Sequence, residues 1–207
     1  MHVLVPGGSG LVGQALTRDL LCDGHSVTIL SRRAGNVEVP SGAQVLYWDG
    51  VNTSGWEIEL ERTDAVIHLA GESIAGAGIL PQRWTDKKKD LIHSSRVATG
   101  QILSAAIESS KRRPAVFVQA SAVGYYGPLG EQPISETQPA GTDYFSKVCL
   151  DWEASSTAVE ALGVRHVIAR LGLHLTMEGG FLPRLALPIR MFVGGWLGNG
   201  RQYYPWI

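Results

Sequence analysis

The sequence predicts an α/β fold, a doubly wound parallel sheet with helices on both faces. Short apolar runs rich in β-branched residues alternate with helix-period segments from residue 2 to 170. Such alternation builds parallel βαβ units with right-handed crossovers. The first run is unbroken, as expected of a strand buried on both faces. It leads through a glycine turn directly into a helix: Val3-Leu4-Val5-Pro6-Gly7-Gly8-Ser9-Gly10-Leu11-Val12-Gly13.

Val3 to Val5 reads as the first strand, and Leu11, Ala15, Leu16, Leu20 and Leu21 then recur at helical spacing. Between them lies Gly7-x-x-Gly10-x-x-Gly13. In this setting the first glycine makes the turn, the middle one lets backbone approach a diphosphate, and the last lets helix pack close to strand. Amides from Ser9 to Val12 and the positive end of the helix dipole then face the anion. The unit reads as a Rossmann-type dinucleotide cradle. A ligand-free glycine turn would not require three glycines at fixed spacing where a helix starts. A mononucleotide P-loop is excluded, because Gln14 and Ala15 stand where Lys and Ser or Thr are needed.

Asp23-Gly24-His25 is a turn, and Ser26 to Leu30 the second strand. A protein selecting NAD carries Asp or Glu at this strand's end, to accept from the ribose 2′-hydroxyl. Here the chain has Ser31, Arg32 and Arg33. Two guanidinium groups and a hydroxyl suit a 2′-phosphate, which a carboxylate would repel. The cofactor expected is NADP(H), with NAD(H) disfavoured; the competing reading is a pair of solvated surface arginines.

A loop over 34–42 leads to a third strand, Gln44 to Tyr47, ending at Trp48-Asp49. Asp49 either reaches the adenine amino group or serves only as a turn residue before Gly50. Thr53 to Arg62 is too short and ambiguous to assign. Asp64 to Leu69 is the fourth strand, and Leu69, Ala70 and Gly71 at its end let backbone lie against the cofactor. A glycine-rich loop, 72–80, follows at the carboxyl edge of the sheet, where open α/β folds bind ligands. Trp84 to Ser110 carries a long helix with Ile92, Thr99, Ile102, Leu103 and Ala106 on one face, closed by Pro114. Lys87, Lys88 and Lys89 read as its solvated side. Ala115 to Gln119 is the fifth strand, Tyr144 to about Leu162 a helix stopped by Gly163, and Val164 to Arg170 the sixth strand.

Residues 1–170 are therefore expected to form the dinucleotide-binding domain, and 171–207 the start of a partial carboxyl-terminal substrate region. That region holds a Gly179-Gly180 turn, a Pro-flanked apolar segment, a hairpin-like Gly198-Asn199-Gly200 and a strand over Gln202 to Ile207. Loops 72–80 and 194–200, with Trp196, are the expected remains of the substrate rim, the chain being expected to be either a fragment or a protein without most of a substrate lobe.

With 207 residues, 44% apolar and 18% charged, the chain has material for one ordinary globular core. A net charge of −1 gives no electrostatic reason to expect nucleic acid or an anionic membrane as partner. Cys22 and Cys149 both fall in predicted helices, form no metal or redox motif, and read as buried thiols. Six histidines without paired ligand spacing give no expectation of a metal. Met1 and His2 run straight into the first strand, and Phe181 to Val193 is interrupted by Pro183, Arg184, Pro188 and Arg190. A cytoplasmic protein acting on a small molecule is expected, with a homodimer as its possible assembly.

The fifth strand leads into Ala120-Ser121-Ala122-Val123-Gly124-Tyr125-Tyr126-Gly127, and Tyr144-Phe145-Ser146-Lys147 comes later. With the glycine pattern and Leu69-Ala70-Gly71, these segments resemble the extended branch of the short-chain dehydrogenase/reductase superfamily. Arg83-Trp84-Thr85, Ser95-Arg96-Val97, Asp151-Trp152-Glu153 and Gly198-x-Gly200-x-Gln202 through Pro205-Trp206-Ile207 are similar to its "epimerase family" proteins, called nucleoside-diphosphate-sugar epimerase-like. The resemblance spans the whole chain. It implies hydride transfer at a carbinol or keto carbon, Ser121 orienting the reacting oxygen, and Arg96 among the cofactor residues. It also implies a tyrosine acid/base with a lysine four residues later that binds the nicotinamide ribose and lowers the phenol pKa. Tyr144 and Lys147 are three apart instead. That spacing still shares a helix face, so the pair stays a candidate in shifted form. Tyr125 or Tyr126 is an alternative phenol. Aligning on Lys147 puts Asp143 at the tyrosine position; aligning on Glu153 puts Phe145 and Cys149 at the pair. A dinucleotide-binding redox sensor or partner-binding module without turnover is the rival to an enzyme.

Overall fold

The structure is a computed structural model and describes residues 1–35, 37–74, 83–196 and 198–207. Residues 75–80 of the glycine-rich loop 72–80 and residue 197 of the loop 194–200 thus lie outside the described residues. Six strands, β1 (His2–Pro6), β2 (Ser26–Ser31), β3 (Gln44–Tyr47), β4 (Ala65–His68), β5 (Val116–Ala122) and β6 (Arg165–Leu171), form one sheet in the order β3-β2-β1-β4-β5-β6. All pairings are parallel. The chain steps outward from β1 to β3, then returns to β4 on β1's other side. A crevice opens at that reversal, beyond the carboxyl ends of the strands.

The unbroken apolar run of β1 is explained by two cores. Val3 and Val5 pack with Val27, Ile29 and Ala65 on one face, under Leu20 and Leu21 of α1 (Leu11–Cys22). Leu4 points the other way, joining Leu30, Val66 and Phe117 under Leu103, Ala106 and Ile107 of α2 (Asp86–Ser109). Helices cover both faces, as predicted. Thr85 starts α2 by accepting from the Lys88 amide at 3.2 Å. Between β3 and β4 a 3-10 turn, Glu57–Arg62, takes the place of an α-helix.

Several local expectations are corrected. The helix predicted over 144–162 breaks: α3 (Tyr144–Ala154) ends early and a 3-10 turn, Thr157–Leu162, follows. Ser155 Oγ turns back to the Trp152 carbonyl at 2.6 Å, and the buried Ser156 Oγ bonds Gln119 and His166 at 3.0 and 2.9 Å. Adjacent hydroxyls with such partners compete with the helix ladder. Strand β5 continues to Ala122, so Ser121 lies within the strand. Residues 202–207 make only an isolated bridge, Leu173 to Trp206, where Pro205 has no N–H to extend a ladder. The Pro-flanked segment contains α4 (Leu182–Arg190), with Pro183 in its first turn, where a missing N–H costs nothing. Cys149 is buried as expected, but Cys22, at the end of α1, is exposed. Among the described residues no helix is long and apolar enough to cross a membrane.

Candidate functional site

The glycine turn is fixed by contact as well as by conformation. Gly7 has φ +83°, and a Cβ on it would lie 2.6 Å from the Ala70 nitrogen at the end of β4. A Cβ on Gly13 would lie 2.5 Å from Gly8 Cα, so only glycine lets α1 approach the turn. Gly10 is the N-cap, and neither a side-chain cap nor an acidic residue occupies the first turn. The leading amides of α1, beginning at Leu11 and Val12, lack intrahelical acceptors and face outward at the positive end of the dipole. Ser9 Oγ meets Ser31 Oγ at 3.1 Å, tying the turn to the end of β2.

A cleft of about 410 Å³ opens over this turn. Gly7, Ser9 and Gly10 form its floor; Ser31, Arg32, Arg33 and Asp49 line one end, and Leu69, Ala70 and Gly71 another part of the wall. Leu11, Val12, Gly13 and Arg96 do not line it; Gly13 serves the packing of helix on turn. The sequence reading missed Trp48 and the small α2 residues Ser94, Ser95, Ala98 and Thr99, which complete the wall. Their signal was present: small side chains on one side of a long helix permit close approach of another group.

The arginine end holds an acid that the local sequence does not reveal. Glu72, just past β4, lies 3.3 Å from Arg32 and 3.6 Å from Lys88 of α2. Its amide donates to Ser95 Oγ at 3.0 Å, which fixes the carboxylate's root. Asp49 spends its carboxylate mainly on its own turn, accepting from the Val51 and Asn52 amides at 2.8 Å and from Asn52 Nδ2 at 2.7 Å. Those bonds hold its carboxyl below the usual range. The turn role is thus filled, while the residue still lines the cleft.

The catalytic candidates are each engaged by a different partner. Tyr144 donates its hydroxyl to the Lys89 carbonyl at 2.7 Å and packs beside Trp84 and Phe145. Lys147 is well exposed and pairs with Asp151 at 2.9 Å; His93 lies 2.9 Å from the same carboxylate oxygen. Burial raises the Tyr144 phenol above its ordinary value; the cation that opposes this is Arg96. Tyr144 and Lys147 thus have different partners, an acid at i+4 for the ammonium and a backbone carbonyl on α2 for the phenol. Ser121 is 2% exposed and donates to Glu153 Oε1 at 2.6 Å. Arg170 of β6 grips both Glu153 oxygens at 2.9 Å, donates to Tyr126 Oη at 3.0 Å and stacks 3.5 Å from the Tyr125 ring centroid. Its hydrogen bonds to Glu153 and, secondarily, to Tyr126 hold the Arg170 guanidinium above its usual value despite partial burial.

Arg96 is 8% exposed. Its Nη1 donates to the Ile92 and Glu72 carbonyls at 3.0 and 3.1 Å, and its Cζ lies 5.0 Å from the Trp152 ring. Burial pulls this guanidinium below its usual value, an effect opposed by Cys149, Tyr144 and Glu72. His68, wholly buried beneath Thr99 at 3.1 Å, is pushed by desolvation and Arg96 down to about 3 and stays neutral. Among the described residues no group of three His, Cys, Asp or Glu is arranged to hold a metal.

The sequence profile of the NAD dependent epimerase/dehydratase family matches residues 3–207. An epimerase family protein of Staphylococcus saprophyticus is 37% identical over 207 residues, covering 100% of this chain and 66% of that protein. The crystal structure of human epimerase family protein SDR39U1 (isoform 2) with NADPH is similar at a TM-score of 0.81 and 34% identity, covering 100% of this chain and 65% of that one. A nucleoside-diphosphate sugar epimerase from Corynebacterium glutamicum gives a TM-score of 0.79 at 32% identity, covering 100% of this chain and 41% of the other. The chain spans about two thirds of the length of the curated relatives it matches. A matched profile over nearly every residue, a strand order that reverses beside a glycine cradle, and relatives at this identity lead to one conclusion: the chain belongs to the NAD dependent epimerase/dehydratase family.

Proposed function

We propose that this chain binds NADP(H) across the carboxyl edge of its sheet, as the cofactor half of an oxidoreductase or epimerase acting on a carbinol or keto carbon. The carrying observation is the uncapped start of α1 over a glycine turn that admits no Cβ, opening into a cleft with Arg32 and Arg33 at one end. The residues fit the group: amides for a diphosphate, guanidinium groups for a 2′-phosphate, and no acid at the end of β2. When bound, the nicotinamide supplies the hydride acceptor or donor. The NADPH-bound human relative supports the same preference.

In this reading residues 1–170 are the cofactor domain and 171–207 begin a substrate region, in a cytoplasmic protein that handles a small, sugar-nucleotide-like substrate. Ser121 orients the reacting oxygen through its bond to Glu153, and Tyr144 is the candidate acid or base, acting without Lys147. A second reading, dinucleotide binding without turnover, is favoured by the same contacts, since the Ser121 and Tyr144 hydroxyls are both engaged by protein groups.

Fluorescence titration with NADPH and NADH tests the first part. NADPH should bind more tightly, and Arg32→Asp should erase the difference; equal affinities in the parent protein overturn the preference. Oxidation of bound NADPH by some member of a carbonyl panel supports the enzyme, with Tyr144→Phe unchanged in rate removing that phenol. Bound NADPH that survives the whole panel supports the second reading.

A further inference from the structure

The end of α3 is fastened by a buried chain of side chains that no step above uses. Ser156 Oγ lies 3.0 Å from Gln119 Oε1 on β5 and 2.9 Å from His166 Nε2 on β6; His166 Nδ1 lies 3.1 Å from Glu160 Oε1. The order Ser-His-Glu has the look of a hydrolytic triad. Ser156 and Gln119 are wholly buried, however, so no substrate reaches the hydroxyl. The imidazole side chain is 2% exposed, while that of Glu160 is 63% exposed.

The proton count decides the state of the ring. Gln119 Nε2 donates to the Ala120 carbonyl at 2.8 Å, which fixes the amide and leaves Oε1 as an acceptor. Ser156 is the only donor to that oxygen among the described residues. Its single proton is spent there, so Ser156 Oγ must accept from His166 Nε2–H. At the ring's other nitrogen the Glu160 carboxylate can only accept, which requires Nδ1–H. Both neutral tautomers fail. One sets an imidazole lone pair against a carboxylate oxygen. The other draws the Ser156 proton to Nε2 and strips a buried carbonyl of its donor, a loss that folded proteins avoid.

Among the described residues Glu160 is the only charged group bonded to the ring. β5 presents the Phe117 ring, 6.0 Å away, and Gln119; α2 contributes apolar Leu103 and Ile107 to the same core. Beyond Phe117 lies His68, kept neutral chiefly by desolvation. The β6 neighbours Arg165 and Val167 point to the opposite face of the sheet.

We propose that His166 is held as an imidazolium and acts as a pH-sensitive latch joining the end of α3 to β5 and β6. While the ring keeps both protons, Ser156 is bonded to both strands. When the Nε2 proton passes to water, the Ser156 proton turns from Gln119 to the ring nitrogen, and Gln119 Oε1 is left unpaired. The latch brackets the Ser121–Glu153 contact: Gln119 precedes Ser121 on β5, and Glu153 precedes Ser156 at the end of α3. It needs no bound cofactor.

Long-range proton–nitrogen NMR of the parent protein at about pH 7.5 tests this, since a free imidazole is mostly neutral there. His166 should carry protons on both ring nitrogens. In Glu160→Ala, a change at an exposed residue, one ring and only one should turn neutral at that pH, which also identifies the signal. Gln119→Met should do the same by releasing the Ser156 proton to the ring; if it does not fold, Glu160→Ala decides alone. A folded state that binds more protons than the unfolded chain loses stability as pH rises. In urea unfolding the folding equilibrium constant should therefore drop by up to about tenfold per pH unit above about pH 6.5, and by less in Glu160→Ala. A neutral His166 in the parent at pH 7.5, no change in any ring in Glu160→Ala, or equal pH slopes for the two proteins each overturn the latch.

Discussion

Glu72→Gln should tighten NADPH binding and leave NADH unchanged. Glu72 lies 3.3 Å from Arg32 at the end of the cleft proposed for the 2′-phosphate. A phosphate arriving there must take Arg32 from a carboxylate that also repels it. The pair is open to water on the arginine side, where 67% of the side chain is exposed. Exposed pairs are worth only about 0.2–1 kcal/mol, so removal of the competitor should improve the NADPH Kd by roughly 1.4- to 5-fold. The companion bond to Lys88, at 3.6 Å, frees a second cation near the same place and pushes the gain toward the upper end. NADH has no 2′-phosphate, so the ratio of the two affinities is the proper readout. Fluorescence titrations at two ionic strengths suffice, because the gain should shrink as salt screens it. Weaker NADPH binding in Glu72→Gln, or an equal gain for NADH, would refute the assignment of this end to a phosphate.

Other perturbations test the scaffold. Gly13→Ala places a methyl 2.5 Å from Gly8 Cα and should cost about 1–3 kcal/mol, seen as a Tm several degrees lower; an unchanged Tm would show that α1 can draw back from the turn. Arg170→Met leaves the partly buried Glu153 without its cation, so stability should fall by about 1–3 kcal/mol, and Arg170→Met with Glu153→Leu should recover most of it in denaturant unfolding. Acid unfolding should pass through Glu59: burial opposes its ionisation, but bonds from Arg62, Thr28 and His2 outweigh that and hold its carboxyl below the usual 4.5. A depressed folded-state pKa means that the unfolded chain binds the proton first. The stabilisation is therefore present above 4.5 and lost as pH falls through the folded value. In Glu59→Gln the acid limb should be shallower, and an identical limb would assign acid unfolding to other carboxyls.

What the sequence made legible was local. The strand, glycine turn and helix of β1–α1 are set by positive φ and close backbone approach within a dozen residues, so spacing sufficed. Ser31 to Arg33 were equally readable, because their place follows from the end of one strand. Glu72 was not, since its meeting with Arg32 depends on how the β4 loop returns across the sheet. The break in α3 was hidden for a similar reason: Ser155 and Ser156 look tolerable in a helix until Gln119 and His166, from β5 and β6, offer Ser156 a partner. At Tyr144 and Lys147, spacing gave a shared face correctly but not the partners. Asp151, four residues on, takes the ammonium, and a carbonyl of α2 takes the phenol. Shared faces follow from periodicity; the choice among competing partners follows from tertiary packing.

The positive groups of the cleft follow an order that net charge conceals. The chain as a whole carries −1, yet along the carboxyl edge lie Arg32 and Arg33 at the end of β2 and the start of α1 over the glycine turn after β1. Two acids line the same cleft, Asp49 and Glu72. Asp49 is engaged by its own turn, so Glu72 is the acid bonded to a cation of the proposed phosphate site. Attraction for a dinucleotide must therefore be short-ranged and built from placed groups rather than from an overall field. It follows that neutralising charge elsewhere on the surface, for instance at Lys111 or Arg113, should leave NADPH affinity within experimental error, whereas single changes at Arg32 or Glu72 should each move it in the direction its own sign dictates. A dependence on distant surface charge as strong as that on these two would mean that the ligand is held by the protein's general field and not by the edge of the sheet.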